Sequence, residues 1–268
     1  MDLLPNPFGL AVLAALFIAL ERRFPYRPSP LRRRGWKTDA VHLVVTHTLE
    51  QLSTLALVVL VWFPLQAVKS ERLAAWVAAQ PRLLVAVVAL LLADLLGYWW
   101  HRLEHVVPFL WRFHAIHHSS ERLDWLAGLR RHPVAASAGK VVTFVVLTLL
   151  GVPKDILGGG VVLLGLWAVL LHANVRFRFF PLRAFVATPD FHHWHHARVD
   201  AGPGWNFAGL FPVWDRLFGT YLVPEGRPLL YGTDTDVPEG YLAQLKAPFL
   251  APKPPALAVT PAGGAPPR

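Results

Sequence analysis

The chain has 268 residues, 54% of them hydrophobic and 16% charged, with a mean hydropathy of +0.40. Average soluble domains carry about 25% charged residues, so this chain has too little charge to cover a water-facing surface of its size, and disorder, a nucleic-acid module and a coiled coil are excluded. A formal net charge of +9 on so apolar a chain suits an anionic membrane face, and the absence of cysteine removes disulfides, thiolate metal sites, iron–sulfur clusters and cysteine nucleophiles.

Five apolar stretches follow one another. The first runs from about Leu3 to Leu20, with Pro5 and Pro7 near its start. The second runs from Val41 to about Leu65, and the third, Leu83 to Trp100, is interrupted only by Asp94. The fourth covers Val134 to Val152 and the fifth Ile156 to Leu171. A bilayer core of ~30 Å takes ~20 helical residues. The second and third stretches meet that length. The shorter fourth and fifth, separated only by Pro153, Lys154 and Asp155, read as a tight helical hairpin whose second leg is weakened at Gly158, Gly159 and Gly160. The fold expected is an all-α integral membrane protein with about four spanning helices and a helical cap.

Charge sets the expected orientation. Arg22, Arg23, Arg27, Arg32, Arg33, Arg34 and Lys37 come after the first stretch, whereas a cleaved signal carries its charge before the apolar run. Such a loop belongs on the cytoplasmic side. The loop between the second and third stretches has only Lys69, Arg72 and Arg82, opposed by Glu71. The amino terminus is therefore expected outside, and the chain after Trp100 and near His172 inside. Residues 173 to about 245 read as a polar cytoplasmic cap. Residues 1–247 form one domain, and 248–268, with seven prolines and no apolar period, read as a disordered tail.

Eleven of the thirteen histidines lie between His101 and His196. His101 and His105 are four apart; His114, His117 and His118 form one box, and His192, His193, His195 and His196 another. Helical residues three and four apart share a face, so three helix faces direct eight imidazoles to one place: His101 and His105; His114, His117 and His118; and His192, His195 and His196. His193 sits about 100° round its helix and is the weaker candidate. Imidazole is the commonest ligand for first-row metals, and eight exceed the need of one ion; two metals with about four nitrogens each fit the set.

Further polar residues carry two readings each. His172, closing the fifth stretch, is a ninth ligand or an interfacial histidine bonded to a backbone carbonyl. His132, before Pro133, is a helix-start residue or a group behind the ligands in preference to a ligand. Asp94 shares a face with Tyr98, His101 and His105, and either orients a ligand imidazole or makes a polar interhelical contact. His42 and His47, near Glu50, read as interhelical hydrogen-bonding groups. Trp99, Trp100 and Trp111 read as interface markers or as the lining of a lipid channel, and Arg130, Arg131, Arg176 and Arg178 as inner-face anchors rather than phosphate ligands.

In order, the chain carries D-x-x-x-Y-W-W-H-R-x-x-H (Asp94 to His105), W-R-F-H-x-x-H-H-S (Trp111 to Ser119), R-H-P (Arg131 to Pro133) and H-A-N (His172 to Asn174). T-P-x-x-H-x-x-H-H (Thr188 to His196) and N-F-x-G-x-x-P-x-W-D-R-L-F-G-T-Y (Asn206 to Tyr221) follow. This arrangement resembles the fatty acid hydroxylase and sterol desaturase superfamily of membrane-bound histidine-box di-iron oxygenases, over roughly residues 90 to 222. The resemblance implies a cytoplasmic cap over two iron ions, with zinc as a substitute in isolated protein. It implies that His101, His105, His114, His117, His118, His192, His195 and His196 are ligands, raises His172 to the same role, and assigns Asn206 and Asp215 to bracing the cap. His193 fills a usually variable position, which leaves a one-residue alternative assignment open.

The reaction implied is O2-dependent hydroxylation or desaturation of an unactivated C–H bond in an apolar membrane lipid such as a sterol or fatty acyl chain. No cysteine set, C-x-x-C-H or G-x-G-x-x-G after a strand is present to carry electrons, so a separate ferredoxin, flavoprotein or b-type cytochrome is expected, and no nucleic-acid partner. The competing readings are a zinc-dependent membrane hydrolase, which explains eight or nine ligands poorly and lacks H-E-x-x-H, and a non-enzymatic metal-binding membrane protein.

Overall fold

A computed structural model describes residues 7–177, 181–198 and 204–250. Ten helices are named here in chain order: α1 (Pro7–Arg23), α2 (Trp36–Val68), α3 (Glu71–Ala78), α4 (Arg82–Val106), α5 (Pro108–His118), α6 (Pro133–Leu149), α7 (Lys154–His172), α8 (Pro189–His195), α9 (Val213–Leu217) and α10 (Tyr241–Leu250). Among the described residues there is no strand, only isolated bridges between Pro25 and Val175 and between Ala197 and Tyr231. The all-helical expectation holds.

Three helices, α2, α4 and α7, are long and apolar enough to cross a bilayer; α6 is apolar but has 17 residues. Their outer faces are unprotected: Leu60 and Phe63 on α2 are 72% and 76% exposed, more apolar surface than a water-soluble monomer leaves bare. α2 contains one π turn, His42–Thr46, where His42 Nδ1 lies 2.9 Å from Thr46 Oγ1 and Nε2 2.9 Å from Gln244 Oε1 of α10. This realises the hydrogen-bonding reading of His42. His47 pairs with Gln51 within α2 at 2.8 Å.

The fourth and fifth stretches become α6 and α7, but not a tight hairpin. Each leg packs against α4 and the two splay apart. Gly158, Gly159, Gly160 and Gly165 have no neighbouring atoms where a side chain would begin, so α7 offers no knobs to its partner leg there. The connection turns at Gly151, whose φ of +79° only glycine adopts without strain and where a Cβ would meet Ala74 of α3 at 2.5 Å. The 69–81 and 150–153 connections thus share one end of the molecule. The basic 24–35 segment is at the other end with the histidines: Arg27 bonds Asn174 and Pro228, and Arg33 bonds Asp124.

Helices α5, α6 and α8 start where a proline follows an extended residue: Val107–Pro108, His132–Pro133 and Thr188–Pro189. Proline at the first helical position loses no hydrogen bond and fixes φ in advance. Beyond α7 the cap is largely loop, with α8, α9 and α10 as its only helices among the described residues, so the helical cap expected is mostly irregular. Its order comes from buried polar clamps. Asn206, at φ 61°, donates to the carbonyls of Phe191 and Leu222, and Asp215 accepts from the amides of Phe207 and Ala208 and from Thr220 Oγ1. The bracing implied for these two residues is what they do. α10 extends to Leu250 with Pro248 inside it, so its last three residues fall within the stretch read as the tail. Residues 251–268 and Arg178 lie outside the described residues.

Candidate metal centre

The nine candidate imidazoles meet in two adjacent groups. His101, His105, His114, His118 and His195 have ligand atoms within 4.8 Å of one another, and so do His117, His172, His192 and His196. The division follows helical phase. The i,i+4 pairs His101/His105 and His114/His118 enter the first group, and His192/His196 the second. The i+3 members, His117 and His195, enter the opposite group from the partners on their own helices. The groups abut, with the His118 and His196 rings stacked at 4.3 Å between centroids.

The outer ring nitrogens are anchored. Nδ1 of His101 donates to Phe207 O (2.9 Å), of His117 to Arg130 O (3.1 Å), of His172 to Ala168 O (2.6 Å) and of His195 to Trp205 O (2.8 Å). Nδ1 of His114 faces the Glu104 carboxylate at 3.2 Å. A nitrogen facing a carbonyl must carry the ring proton, which leaves Nε2 as a bare lone pair. The outer nitrogen of His172 bonds a carbonyl, as in the second of its two readings, and its inner nitrogen joins the second group.

This proton arrangement tests whether cations fit. Nε2 of His117 and His172 are 3.1 Å apart, and Nε2 of His101 and His114 are 3.2 Å apart. In the His117–His172 pair both outer nitrogens face carbonyls and hold the proton, so two lone pairs face each other in the second group, and in the first group His101 presents a bare Nε2 to His114. His172 Nε2 also lies 3.0 Å from His192 Nε2 and 3.2 Å from His196 Nε2. Nε2 of His105 and His195 are buried with no hydrogen-bond partner. Additional protons are not the remedy, because burial, then mutual repulsion among the rings, holds His114, His118, His192 and His196 well below the ordinary 6.5, and burial does the same at His117 and His195. Two nitrogens about 2.1 Å from a shared ion and at right angles to each other stand about 3.0 Å apart, so the spacing suits a metal ion in each group.

Other candidates stand elsewhere. Asp94 orients no imidazole: it accepts from the amides of Leu210 and Phe211, both at 2.7 Å, and from Trp214 Nε1 at 3.1 Å. Its carboxylate satisfies a loop that must approach α4 so that Phe207 O can reach His101. His132 caps α6, accepting from Val134 N at 3.2 Å, and its other nitrogen lies 3.1 Å from Leu245 O. His193 points away from both groups. Its Nε2 sits 3.2 Å from the carbonyls of His172 and Ala173, and its Nδ1 2.8 Å from Tyr231 Oη, with the Arg227 guanidinium alongside. The one-residue alternative for the third box is thereby excluded. Glu104 was not anticipated; the signal available was its position one residue before His105 in a helix otherwise poor in acids.

A cavity of about 670 Å³ opens from His101, His114, His117, His172 and His192 and runs between α4, α6 and α7. Ala86, Ala89, Ala93, Gly159 and Gly160 line it, and the small side chains at these positions leave the space, while Gly139 makes room for the Trp100 ring. The splay of α6 from α7 is thus the opening to the lipid-facing side.

Residues 86–220, which include every candidate ligand, match the family model described as fatty acid hydroxylase. The chain is 33% identical over 248 residues to an ornithine lipid hydroxylase of Rhizobium tropici, covering 88% of this chain and 72% of that one. It is 32% identical over 145 residues to an alkylglycerol monooxygenase of Danio rerio (54% of this chain) and 30% identical over 135 residues to that of Homo sapiens (50% of this chain). It spans only 32% and 30% of the length of these last two. No solved structure gives a significant match.

Proposed function

The chain belongs to the fatty acid hydroxylase family, and on that premise we propose that it is a multi-pass membrane oxidoreductase that uses O2 and two iron ions to hydroxylate or desaturate a C–H bond of a lipid. The observation that carries this reading is the junction of two buried imidazole groups, five and four strong, with an apolar cavity that His101, His114, His117, His172 and His192 line. The names of the relatives, a lipid hydroxylase and lipid-ether monooxygenases, support lipid as substrate.

In this reading His101, His105, His114, His118 and His195 hold one ion and His117, His172, His192 and His196 the other. Bound iron supplies the capacity to activate dioxygen. The chain's own residues do the rest. The backbone carbonyls of Phe207, Arg130, Ala168 and Trp205 and the Glu104 carboxylate fix the rings, so no reorganisation is needed during turnover. The walls of α4, α6 and α7 exclude water and hold the chain of the lipid beside the imidazoles. Overall, hydroxylation places one oxygen atom in the lipid and releases the other as water; desaturation removes two hydrogens and releases both oxygens as water. Either outcome consumes two electrons and two protons, and the electrons come from a separate ferredoxin, flavoprotein or b-type cytochrome.

We place α6 with α2, α4 and α7 as the fourth span, and the imidazole end on the cytoplasmic side with the amino terminus outside. The co-location of the basic 24–35 segment with the histidines supports this sidedness. Untargeted lipid mass spectrometry of cells expressing the chain tests the function: oxidised lipid is expected with the natural sequence and absent with His117→Ala. Full activity after removal of iron, or anaerobic turnover without a reductant, would overturn it, the latter in favour of a hydrolase.

A further inference from the structure

Two cations that neither imidazole group uses line the same cavity, and both are held by Glu50 behind its wall. Glu50 of α2 is 2% exposed, and its two carboxylate oxygens face Lys140 Nζ and, at 3.4 Å, Arg131 Nη2. One carboxylate thus faces two cations and leaves an excess of one positive charge. Both cations line the cavity, Glu50 does not, and their side chains are still 37% and 45% exposed. Arg131 Nε is buried with no partner, so most of a five-donor fork is available. Among the described residues the only carboxylate lining the cavity is Glu104, which is engaged with His114 and is attracted only secondarily to Arg131.

An uncompensated cation at the wall of an apolar cavity is costly, and it is relieved when an anion shares the site. The cations lie at the imidazole end. Arg131 follows Arg130, whose carbonyl accepts from His117, and Lys140 lies two turns into α6 from its start at Pro133. The opposite end, walled by Ala86, Leu147, Ile156 and Leu157, has no ionisable side chain.

We infer that Arg131 and Lys140 bind the phosphate or carboxylate of an anionic lipid substrate, with Glu50 holding the two cations in place. The acyl chain then fills the apolar end, and the carbons oxidised are those next to the headgroup rather than at the chain terminus. The Arg131 fork suits paired oxygens, and Lys140 adds a point charge. This deepens the lipid-oxidase reading and rests on it.

The test compares dioleoyl phosphatidic acid with dioleoylglycerol, which share tails and differ by one phosphate. Binding to the full, iron-loaded chain in neutral detergent is read by native mass spectrometry. At least tenfold tighter retention of phosphatidic acid is expected, falling at least tenfold in Lys140→Gln and retained in Lys140→Arg, with metal content unchanged in both. Equal retention of the two lipids, or a preference that survives Lys140→Gln, overturns the inference. So does full displacement by equimolar inorganic phosphate, which would assign the site to a free anion. The two readings fail separately. Oxidation of cellular lipids without anionic preference overturns this inference and leaves the oxidase standing. A Lys140-dependent preference in a chain without oxidase activity supports the anion site and overturns the oxidase.

Discussion

Gly128→Ala is a change of one methyl group that the structure predicts will disable half of the metal centre. A Cβ at position 128 would stand 2.5 Å from Cγ, 2.7 Å from Cβ and 2.9 Å from Nδ1 of His172. Carbon atoms pack at about 3.5 Å or more, so the ring must retreat by about 1 Å. It cannot do so freely, because Nδ1 is tied to Ala168 O at 2.6 Å and Nε2 sits among three nitrogens at 3.0–3.2 Å. A metal–nitrogen bond tolerates a displacement of only about 0.2 Å. Affinity at the second group should therefore fall at least 10–100-fold, or about 1.4–2.7 kcal/mol, while the first group is untouched. The assay is metal content of purified protein dialysed against a weak chelator: one ion per chain is expected where the natural chain keeps two. Gly158→Ala is the control, because nothing lies within 4 Å of its added methyl group, and helix propensity should stabilise it by about 0.8–1 kcal/mol. Undiminished metal retention in Gly128→Ala would refute the assignment of His172.

Asp94→Asn removes a charged acceptor from two amides and should lower stability by about 1.5–3 kcal/mol, seen as a reduced Tm with metal stoichiometry unchanged in the folded protein; loss of metal at full stability would contradict the bonding described for Asp94. His193→Gln should keep both ions while loosening the contact with Tyr231 and Arg227, detected as faster hydrogen exchange in the 226–231 segment; loss of an ion would return His193 to the ligands. Metal-free protein should lose stability on acidification. Imidazoles that remain neutral when folded but take up protons below about 6.5 when unfolded favour the unfolded state as pH falls. Full stability lies above 6.5, and each of His114, His117, His118, His192, His195 and His196 contributes a loss of about 1.4 kcal/mol per pH unit below it. Denaturant midpoints from pH 8 to 5 measure this, and a flat profile would refute it.

The convergence of the imidazoles was legible because helical spacing is a local property: residues 101 and 105, 114 and 118, and 192 and 196 share faces whatever the topology. How they divide was not, since the partition of His117 and His195 depends on how three helices meet. Asp94 was misread for the same reason. Its partners lie 116 to 120 residues away in a loop with no periodicity to reveal it. His132 and His193 differ from ligands only in where their rings point, which a string of residues does not encode. The apolar stretches located α2, α4, α6 and α7 closely, but apolarity cannot distinguish a leg that packs on its neighbour from one that leaves a cavity beside it. Gly159 and Gly160, two of the three glycines read as weakening α7, line that cavity.

The most direct test of the central claim is the iron content of the anaerobically purified, iron-loaded chain, with Mössbauer spectra to report whether the ions are coupled. Two irons per chain are predicted, with His118→Ala and His172→Ala each depleting a different one. A maximum of one ion per chain, or two that both survive either substitution, would contradict the account.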